Sequence, residues 1–113
     1  MALNTRLKGM LGFAMRAGKL LVGTDIVCRT AAKQSGGGIR LVVIAAGASA
    51  STKKKLSGKC DFYKIPSVEI DTTPEEFGDL LGKSYAPAAV GVTDEGFARE
   101  IAAASKQEER KIP

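Results

Sequence analysis

The stretch that most constrains the fold is IRLVVIAAG, residues 39–47. After Arg40 it is a continuous apolar run rich in branched side chains, without the polar alternation of a half-exposed strand. Such a run marks a strand buried on both faces. Helical signals surround it, so helices are expected on both faces of one sheet. The pattern along the chain is a helix followed by four strand–helix alternations, which implies a three-layer α/β/α sandwich.

The first helix is read from Leu3, Leu7, Met10, Leu11, Ala14 and Ala17. Asn4 or Thr5 can cap it and Gly18 can end it. Lys19 to Val22 reads as a short strand. Gly23 turns the chain, and Thr24 caps a second helix to about Ser35, with Val27, Thr30, Ala31 and Gln34 on its inner side. Gly36-Gly37-Gly38 stops it. After the buried strand, Ser49 or Ser51 caps STKKKLSGKCDFYK. Ser67 to Ile70 is a strand. Thr73 caps the next helix, with Pro74 at its first position and acidic residues in its first turn; Gly82 ends it. Ala88 to Val92 is the last strand, and Thr93 or Asp94 opens a last helix. Residues 1–105 read as a single domain, and 106–113 as a frayed tail. The 113-residue length fits one domain.

No apolar run approaches the ~20 residues of a membrane span, and the basic N-terminus reads as a helix rather than a secretory signal. Cys28 and Cys60 are the only cysteines, and histidine is absent. Two isolated thiols form neither a disulfide framework nor a metal-ligand spacing, and they suit a reducing cytoplasm. Without histidine the commonest general base and zinc ligand are both missing. The formal charge is +5, yet the first 40 residues carry seven basic groups against Asp25 alone. The excess therefore sits in the first third, which favours a polyanionic partner, nucleic acid above all.

The glycine-rich segments do not bind nucleotide triphosphates. SGGGIR precedes a strand instead of following one, and GDLLGKS has three residues between its glycines where the phosphate loop needs four. Lys53, Lys54 and Lys55 spread around a helix and read first as a solvated face, the second reading being extra contacts to a long polyanion. Phe62, Tyr63, Tyr85 and the other aromatics read as no stacking platform, since the chain has no single-strand RNA motif with paired aromatics on a strand; Phe13, Phe77 and Phe97 fall at helical core positions. Tyr85 lies in a loop before a strand, where it can stack on a base or anchor the loop. The most suggestive stretch is GKLLVGTDIVCR, residues 18–29. Asp25, Arg29 and Lys33 share one side of the second helix at i, i+4 and i+8. That spacing fits an ordinary solvated face with Asp25 paired to Arg29. It also fits an RNA contact: a helix start offers unpaired N–H groups, a glycine admits a backbone, and the cations meet phosphates.

GKLLVGTDIVCRTAAKQSGGGIRLVVIAAGAS, followed by TKKKL and FGDLLGKSYAPAAVGVTDEGFA, resembles the L7Ae/L30e ribosomal protein family, whose members bind kink-turn RNA. The resemblance spans about Leu7 to Ala102 and is closest to small bacterial members. It implies a four-stranded mixed sheet and a non-enzymatic role, with no cofactor, no metal and no catalytic residue. The implied RNA-binding residues are Gly23, Thr24, Asp25, Ile26, Arg29 and Lys33 of the second helix start. Lys19 precedes them, and Tyr85, Ala86 and Pro87 belong to the loop that closes over an extruded nucleotide. The family pattern has asparagine and glutamate where this chain has Asp25 and Ile26, so phosphate contacts are expected to outlast G·A readout. The partner implied is ribosomal or other structured RNA, with the ribosome itself a candidate, in the cytoplasm. No membrane or small-molecule substrate is implied. The rival reading is a protein-interaction or regulatory module of the same fold, with an exposed Ile26 in its interface.

Overall fold

The computed structural model describes residues 5–33 and 37–109, with side chains to Ser105. In chain order the elements are α1 (Thr5–Arg16), β1 (Leu20–Val22), α2 (Thr24–Ala31), β2 (Leu41–Ala45), α3 (Ala50–Tyr63), β3 (Ser67–Ile70), α4 (Pro74–Leu81), β4 (Ala89–Val92) and α5 (Glu95–Glu109). The sheet order is β1-β4-β2-β3, with β2 and β3 parallel and β4 antiparallel to both of its neighbours. This is the mixed four-stranded sheet of an α/β/α sandwich.

All five residues of β2 are buried, and their alternation divides the core. Leu41, Val43 and Ala45 face the layer of α1, α4 and α5, packing with Leu7, Leu11, Phe77 and Ile101. Val42 and Ile44 face α2 and α3, packing with Val27, Ala31, Leu56 and Cys60. A fully buried branched side chain of this kind contributes about 1.5–3 kcal/mol relative to exposure. Only two rows of apolar side chains on one strand can serve two helical layers. A charged residue anywhere in β2 would therefore be stranded in a core.

The helix ends follow local chemistry. The Thr73 hydroxyl accepts from Glu76 N–H at 3.1 Å, and the Glu76 carboxylate accepts from Thr73 N–H at 3.1 Å, a reciprocal capping box. Gly82 closes α4 with φ 72°, in the left-handed region. Ser49 caps α3, and the Asp94 carboxylate accepts from Phe97 N–H at 2.9 Å.

Four expectations require correction. Phe13 is not in the core: it is 57% exposed, because the inner line of α1 is Leu7, Leu11 and Ala14. The Arg16 guanidinium covers its ring at 4.9 Å. Ala17 is exposed as well. The second helix ends at Ala31, well short of residue 35, since the returning loop closes on it. A Cβ on Gly37 would run into the Thr30 carbonyl, so that glycine approaches the last turn closely. Beyond residue 105 the chain is helical to Glu109, because Ala104 and Ser105 are still buried and carry α5 onward. Leu3, Asn4, Gln34, Ser35 and Gly36 lie outside the described residues.

Both thiols are buried. Burial, with smaller contributions from Asp61 and Cys28, pushes the Cys60 thiol from 9.0 up to about 11, against a hydrogen bond with Ser67 that lowers it. A protonated, enclosed thiol of this kind is an inert packing group.

Candidate nucleic-acid interface

The candidate interface is brought together by the reversal of β4. Because β4 runs against β1 and β2, its first residues lie at the end of the sheet where those strands finish. Gly23 leaves β1 there and donates its N–H to the Ala89 carbonyl at 2.9 Å. Ala45, at the end of β2, donates to the Ala88 carbonyl at 2.8 Å. The loop 84–88 and the start of α2 are thus fastened to the same few atoms, although some 60 residues separate them in the chain.

The helix cap is Gly23 and not Thr24 as the sequence suggested. Gly23 has φ 123° and ψ 148°, which side-chain-bearing residues rarely adopt, and its carbonyl accepts from Val27 N–H at 3.1 Å. No side chain caps the helix. The N–H groups of Thr24, Asp25 and Ile26 therefore have no acceptor within the helix, the arrangement in which a helix start can donate to an anion. Thr24 and Ile26 are half-buried, so Ile26 is less open than the rival reading supposes. Asp25 and Arg29 are exposed, and among the described residues no ion pair joins them. Arg29 lies about 6 Å further along the helix axis and remains available to a ligand.

Opposite the helix start, Tyr85 is 52% exposed, Ala86 is exposed and Pro87 is buried. The loop is seated on α4 through Gly78. A Cβ there would collide with the Tyr85 carbonyl and stand 3.2 Å from Pro87 Cδ. Lys83, half-buried, leads into the loop with its N–H bonded to the Gly78 carbonyl at 2.8 Å. The structure therefore brings Gly23, Thr24, Asp25, Ile26 and Arg29 together with Tyr85, Ala86 and Pro87.

Two residues are not brought there. The Lys19 carbonyl accepts from Thr93 at the opposite end of β1, roughly 10 Å away along a three-residue strand. Lys33 follows the end of α2, where its N–H bonds the Thr30 carbonyl. The eight-residue helix alone puts it about 12 Å from the helix start.

Two contributors escaped the sequence reading. Gly78 read only as part of a failed phosphate-loop pattern. Lys53 read as one of three solvated lysines, but its Nζ donates to the Ala46 carbonyl at 3.0 Å and lies 3.7 Å from Glu69. It places a cation at the same end of the sheet. Acidic groups nearby are partly occupied, since Glu76 is held by Thr72 and Thr73. Among the described residues, no three His, Cys, Asp or Glu side chains cluster to hold a metal, and no helix is long and apolar enough to cross a membrane.

This architecture is shared with known proteins. The chain is 35% identical over 92 residues to the RNA-binding protein YlxQ of Bacillus subtilis, covering 81% of this chain and 87% of that one. It is 30% identical over 90 residues to the large ribosomal subunit protein eL30 of Methanosarcina mazei, covering 80% and 81%. A Bacillus halodurans protein described as of unknown function superposes with TM-score 0.79 at 33% identity, over 91% of this chain and 99% of that one. A 15.5 kD RNA binding protein of Giardia lamblia superposes with TM-score 0.72 at 17% identity, over 97% and 90%, a likeness of fold. The model of the ribosomal protein L7Ae/L30e/S12e/Gadd45 family matches residues 5–102. This chain belongs to that family.

Proposed function

We propose that the protein binds structured RNA without catalysing a reaction, and that its target is a kink-turn or similar bent internal loop. The observation that carries this reading is the bond from Gly23 N–H to the Ala89 carbonyl. It sets an uncapped helix start against a loop with an exposed aromatic ring. In this reading the free N–H groups of α2 and Arg29 grip phosphates where the strand bends, and Tyr85, Ala86 and Pro87 pack against a turned-out nucleotide. Asp25 and Ile26 provide no amide or carboxamide edge, so the reading is of backbone shape more than of base identity. The basic first third of the chain and the names of the relatives support RNA as the ligand. Ribosomal RNA in the cytoplasm is the target proposed first.

The test is a comparison of affinities for a kink-turn RNA and a straight duplex of matched length and composition. Preference for the bent RNA, lost in Arg29→Ala, is the expected result. Equal affinity for both overturns the bent-loop reading.

A further inference from the structure

A second surface, the outer face of α3, has the composition of a nucleic-acid site. Helix α3 buries only Leu56 and Cys60 along its 14 residues. Its outer face carries Lys55, Lys59 and Phe62 at helical spacing, with Lys54 beside them. These residues, with Gly58 and Tyr63, line an open depression of about 530 Å³ that contains no acidic side chain. Among the described residues, Lys54, Lys55 and Lys59 have no ion-pair partner. Phe62 is 77% exposed, the most exposed large apolar side chain described, and its ring meets that of Tyr63 edge to face, 4.9 Å between centroids.

Gly58 forms part of the same depression. A glycine inside a helix weakens it relative to alanine. Nothing in the fold requires one here, since a Cβ at this position would meet no atom within 4 Å. The missing side chain instead leaves a shallow floor between the lysines and Phe62, where a flat ligand can approach the helix backbone. Tyr63 also borders a second depression, where Arg40 and Lys64 stand beside the Arg99–Glu95 ion pair.

Unpaired lysines beside one exposed ring, over a glycine floor, fit an unstacked base and its flanking phosphates. A duplex hides its bases from such a ring. A membrane would need more apolar surface than one phenyl ring. We propose that the outer face of α3 binds a single-stranded RNA segment, with Phe62 stacking on a base and Lys54, Lys55 and Lys59 contacting phosphates. This inference rests on the reading of the protein as an RNA binder, but not on the bent-loop target.

The test uses the full chain with two probes, a fluorescent oligouridylate and a kink-turn RNA without single-stranded extensions. Phe62→Ala weakens oligouridylate binding about fivefold or more, and Phe62→Tyr retains it. Lys55→Gln with Lys59→Gln lowers the salt slope by about one to two. Gly58→Ala weakens oligouridylate binding while leaving the melting temperature equal or higher, which a purely structural glycine would not do. None of these changes alters kink-turn affinity, whereas Arg29→Ala does the reverse. Should the kink-turn RNA bind no better than a duplex while oligouridylate binding still depends on Phe62, the bent-loop reading fails and the α3 surface stands. If the parent protein does not bind oligouridylate, or binds it as well after Phe62→Ala and Gly58→Ala, the inference is overturned and the patch falls to an acidic protein surface.

Discussion

Gly23 adopts a backbone conformation that few other residues reach, and it does so where its N–H bonds the Ala89 carbonyl between the two halves of the candidate interface. Arg29 shows how a residue in that setting can be tested. It is exposed, unpaired among the described residues and one turn beyond the free N–H groups. Its removal should leave folding intact. Arg29→Ala is expected to weaken RNA binding by about 1–3 kcal/mol if the guanidinium makes a bidentate contact, with an unchanged melting temperature; titration of labelled RNA checks both sides of that statement. Cys60 gives a prediction of a different kind. Its thiol is raised to about 11 in the folded protein from 9.0. Between those values the unfolded chain loses the proton and the folded chain keeps it. Stability is therefore fully present below pH 9 and falls as pH rises toward 11, by on the order of 2 kcal/mol for this group alone. Denaturant midpoints across that range, compared with Cys60→Ala, measure it; an identical slope in the variant contradicts the assignment.

At the scale of the element, α4 does two jobs that can be separated. Its N-terminus is a capping box and its middle is the seat of the loop 84–88. Thr73→Ala should cost about 0.5–2 kcal/mol of stability and leave RNA affinity unchanged. Gly78→Ala should displace the loop as the new methyl meets the Tyr85 carbonyl, lowering RNA affinity more than its loss of stability explains. Denaturation and binding measured on the same two variants decide the matter, and parallel losses in both would remove the loop from the interface. The elements themselves were largely legible in the sequence. The unbroken apolar run of β2 announced a strand with two buried faces, and Thr73-Pro74 with Glu76 announced a helix start. What was not legible depended on tertiary neighbours. The end of α2 at Ala31 is set by Gly37 returning onto Thr30, which no local signal encodes. Phe13 satisfies the helical period loosely, yet the inner line of α1 runs one position away. For the candidate site, the places of Gly23 at the helix start and of Arg29 on the exposed side of α2 could be read directly. The distance of Lys19 and Lys33 from it, and the role of Gly78, could not, because sheet order decides them.

For the whole molecule, the question is how charge is spent. The net +5 is concentrated in the first third of the chain, whose helices lie in different layers of the sandwich. Binding to any RNA should be driven largely by counterion release. With about four phosphate contacts, affinity is expected to drop on the order of a hundredfold between about 50 and 200 mM salt. A titration series in potassium chloride tests this, and a flat response would point to contacts other than phosphate.

The reversed last strand has an implication for synthesis. Residues of α2 leave the ribosome early, but the segment they must meet precedes Ala89 and emerges only when most of the protein has been made. On the proposed reading, the two halves of the bent-loop site come together only when β4 slots between β1 and β2.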